Sequence, residues 1–329
     1  LGLDNLTDVL NNLQDFEEII VFGTDPAVSH PVYWVKLIQM VQQKATLSVV
    51  DFFPHKGQRW EKPHISLTPG NELNFLAEVT LQLLSAKKAK GSLIEDEEKL
   101  LSQLEVRSLS ESLSSDERLR ALQMAERLLR PSSRVFLVGE RLGCGSQREE
   151  VLRLLWNLAL ISGSKMVVLP AESNSWSELE VAQALGLKLL PFTHLQNLID
   201  QKKVKAVLSV SGLLLPARLK PELLIVLNSH WSETARKADF VLPTTTFLEE
   251  EGLFISGGGR VQAFPSILPS RGESRPEWTI LSALAEKMNK KFGWTRFSNL
   301  RKDVKQSMRS LTGLSWKKIT QGEIFTLKR

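Results

Sequence analysis

The sequence contains a single cysteine, Cys144, among its 329 residues. One thiol excludes an intramolecular disulfide, a zinc site built from paired cysteines, and an iron–sulfur cluster held by four cysteines of this chain. Long apolar runs are scarce as well. The run at 204–215 is interrupted by one lysine and two serines, and it is shorter than the ~20 residues that a membrane-spanning helix needs. We therefore expect no direct membrane span.

A strong excess of one charge is also missing, because 42 Lys and Arg face 37 Asp and Glu and give a formal net charge of +5. The basic excess lies mainly after residue 286, without the dense basic stripe and interleaved aromatics that are typical of nucleic-acid binding. The hydrophobic fraction of 42% and the charged fraction of 24% are ordinary for a globular protein. No basic and apolar leader precedes the first motif. We expect a reducing, cytoplasmic setting and no nucleic-acid partner.

Short apolar or β-branched runs alternate with helical patterns along most of the chain. This alternation is typical of an α/β fold in which helices cover both faces of a parallel sheet. Strands are predicted at 19–22, 47–50, 134–138, 166–169, 204–210, 223–227 and 240–242. Helices are predicted at 32–43, 71–84, 117–130, 147–162, 179–185, 233–238 and 278–291.

The pattern starts again after Gly163, which predicts a domain boundary there. We expect a first α/β domain at 1–163, a second at 164–292 and a basic helical tail at 293–329. The stretch at 86–115 is rich in Lys, Glu and Ser and breaks the alternation. It is predicted to be a surface insertion in the first domain.

Three predicted strands end in glycine-containing loops that open towards a helix. These loops are Gly23-Thr24-Asp25, Gly139 to Gly145, and Ser211-Gly212. Backbone N–H groups at such a place can receive an anion, although each glycine can equally serve only as a turn residue. The second loop does not have the GxGxxG spacing. Asp51 ends another strand, where its carboxylate can accept from a ribose hydroxyl or a guanine edge, or can cap a turn in solvent.

A set of catalytic residues is not evident. No pair among the five histidines has the spacing of metal ligands, and each is interpreted as a core or surface residue: His30, His55, His64, His194 and His230. The carboxylates at 249–251 lie close to Arg260, and we expect an internal ion pair there instead of acid–base catalysis. Cys144 is interpreted as a small filler. We predict neither a catalytic residue nor a metal ligand.

One segment gives the chain a recognisable family resemblance. Residues 238–262 read ADFVLPTTTFLEEEGLFISGGGRVQ. They closely resemble the ADVVLP…ExEGTFxNxEGRxQ block of the molybdopterin oxidoreductases, the superfamily of dimethyl sulfoxide reductase and formate dehydrogenase. The loop GTDPAVSHP at 23–31 resembles the family's GxNPAxxHP, and VVD at 49–51 resembles its VxD strand end. The resemblance covers nearly all of the chain except 86–115.

The resemblance implies two Rossmann-like parallel-sheet domains of the formate dehydrogenase and dimethyl sulfoxide reductase type. In the family, these domains clamp two pyranopterin guanine dinucleotides, which carry molybdenum or tungsten as bis-molybdopterin guanine dinucleotide. Carried over residue by residue, the implied dinucleotide positions are Gly23, Thr24, Asp25, Asp51, Gly139, Gly143, Ser211, Gly212 and Arg260.

Departures from the family pattern are concentrated at these same positions. Asp25 stands where Asn is usual, and Phe-Phe-Pro at 52–54 replaces the Pro-Arg that follows the strand-end Asp. The second strand-end loop is reduced to SGLLLP at 211–216. The cluster cysteines and the cysteine or selenocysteine metal ligand of the family are absent. Because lost polar donors weaken the binding of a buried pyrophosphate, we expect a vestigial site with no cofactor in this segment.

An eroded site of this kind is similar to that of the large peripheral iron–sulfur subunits of complex I, the NADH-quinone oxidoreductases. The resemblance implies a structural, non-catalytic module of an electron-transfer complex, peripheral to the membrane. Its partners would be iron–sulfur subunits and flavin- or NADH-binding subunits. One alternative is part of a working molybdenum or tungsten enzyme such as formate dehydrogenase. Another is a stand-alone binding or assembly protein that reuses the fold.

Overall fold

The computed structural model describes residues 9–92, 94–106, 113–142, 147–170, 174–188, 190, 192–210, 220–257, 259–308, 311, 314–321 and 325–326. The chain forms two compact units. The first unit is Leu1–Ser173 and the second unit is Asn174–Arg329. Within the described residues, no helix combines the length and apolarity that a membrane crossing requires.

The first unit contains a five-stranded, fully parallel sheet. Its strands are β1 (Glu18–Phe22), β2 (Thr46–Asp51), β3 (His64–Ser66), β4 (Arg134–Val138) and β5 (Lys165–Val168), and they lie in the order β3-β2-β1-β4-β5. Every residue of β1 and β4 is buried. This explains why both strands read as nearly continuous apolar runs, since helices cover both faces of a parallel sheet.

The first unit also contains helices, and the three longest of them close the main apolar core. The helices are α1 (Pro26–Ser29), α2 (Pro31–Gln42), α3 (Glu72–Ala89), α4 (Glu95–Val106), α5 (Ser115–Leu128) and α6 (Arg148–Ile161). The core joins Phe22 and Phe136 of the sheet to Leu76 of α3 and Leu155 of α6. The rings of Phe22 and Phe136 meet edge to face, with centroids 5.2 Å apart. The predicted α/β class with parallel sheets agrees with this architecture.

The boundary between the units differs from the one expected at Gly163. Strand β5, expected to open the second domain, pairs with β4 and forms the edge of the first sheet. The first unit therefore extends to Ser173. In the stretch predicted to be an insertion, Lys87 of α3 forms an ion pair with Glu97 of α4.

The second unit contains two small sheets. Strands β6 (Ala206–Val210), β7 (Leu223–Asn228) and β8 (Phe240–Pro243) form a parallel sheet in that order, and β9 (Gly252–Ile255), β10 (Arg260–Phe264) and β11 (Phe325–Thr326) form an antiparallel one. The helices are α7 (Ser175–Ala184), α8 (Phe192–Asp200), α9 (Glu233–Lys237), α10 (Glu277–Lys287), α11 (Phe297–Ser307) and α12 (Trp316–Thr320).

The segment predicted as a basic tail contributes to the core of the second unit. Met308, Leu311 and Ile319 are buried against Ile255 of β9 and Val261 of β10. Val304 of α11 and Trp316 of α12 are partly buried against the same cluster. The tail is therefore an integral part of this unit.

A buried carboxylate fixes the start of α5 in the first unit. Glu117 is only 4% exposed, and it forms a capping box with Ser114. Its carboxylate accepts from the backbone N–H groups of Thr68 at 3.0 Å and Ser114 at 2.9 Å. Burial alone would raise the pKa of Glu117, but these hydrogen bonds and those from Ser114 Oγ and Asn71 outweigh burial and lower the pKa from 4.5 to about 2.

We predict that Glu117→Gln lowers the free energy of unfolding by about 1–2 kcal/mol at neutral pH, because it removes a charged cap acceptor. The folded pKa lies below the unfolded one. The stabilisation is therefore complete above pH 4.5 and is lost as the pH falls towards 2. Urea unfolding across this pH range measures the free energy of unfolding of the wild type and of the variant. The control is Asp116→Asn, which changes the exposed neighbouring residue. Identical pH profiles of stability for the wild type and Glu117→Gln would contradict the prediction.

Candidate functional site

The strand order places a topological switch between β1 and β4. From β1 the chain continues to β2 and β3 on one side of the sheet, whereas β4 and β5 extend the other side. Open α/β sheets bind ligands at the carboxyl ends of their strands beside such a switch. We call the residues there the switch edge: Gly23–Asp25 after β1, Asp51 at the end of β2, and Gly139–Leu142 after β4.

Two glycines allow the loops of the switch edge to approach each other closely. Gly23 has φ +60°, and a Cβ atom there would lie 2.2 Å from the backbone nitrogen of Leu142. A Cβ atom on Gly139 would lie 2.2 Å from Cβ of Thr24. The backbone N–H of Arg141 donates to the carbonyl of Gly23 at 2.9 Å. The backbone of the chain itself therefore fills part of the crevice at the switch.

The side chains of Thr24 and Asp25 are both used within the first unit. Thr24 Oγ1 lies 2.8 Å from Ser29 Oγ. Asp25 Oδ1 accepts from the backbone N–H of Ala27 at 3.0 Å, which caps α1, and Oδ2 accepts from that of Lys56 at 3.0 Å. The Asp that replaces the family's Asn thus acts as a helix cap and as an anchor for a distant loop.

Asp51 is the centre of a buried ion-pair network. It has no exposed surface, which excludes the alternative of a solvated turn cap. Its Oδ1 accepts from the backbone N–H of Phe52 at 2.7 Å. Its Oδ2 lies 2.8 Å from Nε2 of His55 and 2.8 Å from an Nη atom of Arg141. The carboxylate is therefore neutralised by two cationic groups from two different loops.

One of the two cations beside Asp51 is the imidazolium of His55. Its Nε2 faces Asp51, and its Nδ1 lies 3.0 Å from Oε1 of Glu61. A neutral imidazole has only one N–H, so donation to two carboxylates requires the protonated ring. Burial alone would lower the pKa of His55, but the hydrogen bonds and negative charges of Asp51 and Glu61 raise it to about 9.

A second histidine extends the network through Glu61. The other oxygen of Glu61, Oε2, lies 3.0 Å from Nδ1 of His64, and the rings of His55 and His64 meet edge to face with centroids 5.1 Å apart. Their potential ligand atoms all lie within 4.8 Å of one another. Both side chains are buried, which agrees with the interpretation of each as a core or surface residue, but that interpretation does not bring the two histidines together. Pairing of β3 with β2 places His64 beside Val49, and the intervening loop folds back over them. The signal in the sequence is the close His-Glu-His order at 55–64.

The remaining predicted positions are Gly143, Ser211, Gly212 and Arg260. Gly143, Ser211 and Gly212 lie outside the described residues. Arg260 is an exposed residue at the start of β10, where its backbone N–H donates to Ser256 Oγ at 3.1 Å. The expected ion pair with residues 249–251 is not formed in the described part of the chain. Glu250 instead lies 3.3 Å from Thr245 Oγ1, and burial, followed by the charge of Glu277, raises its pKa.

The switch edge can be compared with what a pterin guanine dinucleotide requires. A guanine that is recognised by Asp51 needs an accessible carboxylate, but both oxygens of Asp51 are engaged and the side chain is 0% exposed. Arg141 would have to leave before a ligand could reach it. As arranged, the described residues of this edge do not fit the guanosine.

Comparisons with known proteins agree with the resemblance seen in the sequence. The family model "Molybdopterin oxidoreductase" matches residues 4–287. Formate dehydrogenase H of Escherichia coli is 22% identical over 341 residues, which cover 88% of this chain and 47% of that protein. The F420-dependent formate dehydrogenase subunit alpha of Methanocaldococcus jannaschii is 28% identical over 100 residues, which cover 30% of this chain and 15% of that protein.

A solved structure shows the same fold. Acetylene hydratase from Pelobacter acetylenicus superposes with a TM-score of 0.68 at 16% identity, covering 95% of this chain and 52% of that chain. This confirms the predicted fold class. The chain spans at most about half the length of these relatives. The named relatives are formate dehydrogenases, and they give no support for a specific assignment to complex I.

The close approach at Gly23 can be tested against a glycine with a similar backbone. Gly163 has φ +66°, and no atom lies within 4 Å of the position that a Cβ atom would occupy. Gly23 has φ +60°, but a Cβ atom there would overlap with Leu142. Gly163→Ala should cost about 1–2 kcal/mol from backbone strain alone. Gly23→Ala should cost about 1–3 kcal/mol more, because the loops must separate. Urea unfolding of both variants measures the difference. Equal costs would show that the loops do not meet as described.

Proposed function

Because the chain belongs to the molybdopterin oxidoreductase family, we propose that it supplies the α/β frame of a redox complex of the formate dehydrogenase type. The observation that carries the proposal is the family match across residues 4–287. The switch edge supports it, since motif residues from three separate segments of the chain meet there: Gly23–Asp25, Asp51 and Gly139.

Within such a complex, the chain's own residues hold the frame together. Gly23 and Gly139 let the loops after β1 and β4 pack against each other, and Asp51 ties the loop after β2 to Arg141. Because the described residues of the switch edge do not fit the guanosine, the pterin that supplies the metal-centred redox chemistry would be held by other parts of the complex. The partners on this proposal are the iron–sulfur and flavin- or NADH-binding subunits expected from the sequence. The M. jannaschii relative is itself named as a subunit.

The covered carboxylate of Asp51 favours a second candidate. In a non-catalytic module of an NADH-quinone oxidoreductase, the pocket has no need to remain open, and pairing by Arg141 and His55 stabilises the closed edge. The sequence after Asp51 also favours this second candidate, because residues 52–54 are Phe-Phe-Pro and lack the arginine that is usual in the family. The two candidates differ in the electron donor and in the metal content of the complex.

We predict that the native complex, purified from its source through a tag on this chain, reduces a viologen dye with formate and contains stoichiometric molybdenum or tungsten. Elemental analysis and pterin fluorescence after acid oxidation measure the cofactor. The same preparation assayed with NADH is the internal control. A complex that uses NADH and holds neither metal nor pterin would replace this proposal with the second candidate. A chain that purifies without redox partners would indicate a stand-alone binding or assembly protein.

A further inference from the structure

We propose that His55, Glu61 and His64 form a binding site for Zn²⁺ in the first unit. The site does not depend on the proposed function. None of its three residues belongs to the positions matched to the dinucleotide motifs. Two observations point to this site. The ligand atoms of the three side chains lie close together, and the buried Nε2 of His64 has no partner among the described residues.

The donor set is one that zinc uses in proteins. Two imidazoles and one carboxylate form a three-ligand set, with a water molecule in the fourth position. Both histidines already lie 3.0 Å from an oxygen of Glu61, and the potential ligand atoms lie within 4.8 Å of one another. Zinc bonds of about 2.0–2.1 Å in a tetrahedron place ligand atoms about 3.3 Å apart. Only small side-chain movements are needed to reach that separation.

The orientation of His55 is the one that a metal ligand requires. A ligating histidine generally donates its second N–H to a carboxylate, which fixes the ring and its tautomer. His55 directs Nε2 to Asp51 at 2.8 Å and leaves Nδ1 towards Glu61. Asp51 is itself fixed by the backbone N–H of Phe52 and by Arg141. Asp51 is thus a positioning residue that holds the first ligand.

His64 provides the second, independent observation. Its side chain is only 7% exposed, and its Nε2 is buried with no hydrogen-bond partner among the described residues. A buried polar atom without a partner is costly, and native proteins rarely retain one without a reason. Coordination through Nε2 would give this atom a partner, while Nδ1 keeps its contact with Oε2 of Glu61.

The charges and the burial define the kind of site. In the metal-free arrangement, the proton on His55 Nδ1 bridges to Glu61. Binding of Zn²⁺ displaces that proton to solvent and places the cation between the imidazole and the carboxylate. Side-chain exposure is 0% for His55 and Glu61. A cation in this solvent-inaccessible position would link the loop at 52–63 to β3, because His55 and Glu61 belong to that loop and His64 begins β3.

The test uses the full chain after removal of metals with a chelator, with Zn²⁺ alone as the probe. Equilibrium dialysis followed by elemental analysis gives the stoichiometry and affinity, and X-ray absorption at the zinc edge gives the ligands. We expect one zinc per chain, bound by nitrogen and oxygen at about 2.0–2.2 Å with no sulfur. The absorption measurement on the wild type requires no variant to fold.

His64→Gln and Glu61→Gln should each weaken zinc binding at least tenfold. His194→Gln is the matched control, because His194 is an exposed histidine of α8 in the second unit. This variant should bind zinc with the affinity of the wild type. Circular dichroism reports whether each variant folds. Failure of the wild type to retain zinc, a sulfur ligand in the absorption spectrum, or undiminished binding by folded His64→Gln would overturn the proposal.

Discussion

The buried carboxylate of Asp51 is the constraint on which the switch edge depends. A charge without exposed surface is tolerated only when it is paired and hydrogen-bonded, and removal of a partner from such a pair is strongly destabilising. Asp51 finds its partners in the residue that follows it, in His55, and in Arg141 after β4. The ends of two non-adjacent strands are therefore joined through one carboxylate.

The fold agrees with the family, whereas Asp51 is covered by residues of the chain itself. The strand order, the glycines of the β1 and β4 loops and the strand-end Asp agree with a molybdopterin oxidoreductase. The carboxylate of Asp51, however, forms ion pairs with His55 and with Arg141 of the loop after β4. The covered carboxylate is stable in this position because its two ion pairs and its hydrogen bond compensate the buried charge.

Much of the fold was predictable from the sequence because its signals are local. The buried strands β1 and β4 are continuous apolar runs, and their predicted bounds at 19–22 and 134–138 agree with the structure to within one residue. The membership of β5 was not predictable, since four residues carry no information about which sheet they join. The cluster of His55, Glu61 and His64 was also missed, because it forms only when β3 pairs with β2. The reach of Arg141 to Asp51, which lies far from it in the sequence, likewise depends on tertiary structure.

The closed switch edge depends on the pairing of Asp51 with Arg141, which a double-mutant cycle measures directly. The free energy of unfolding is determined for the wild type, Asp51→Asn, Arg141→Gln and the double variant. If the carboxylate is held as described, the two substitutions are coupled by about 1–3 kcal/mol, with the double variant less destabilised than the sum of the single ones. Effects that add to within about 0.5 kcal/mol would show that Arg141 does not cover Asp51, and would contradict the closed switch edge.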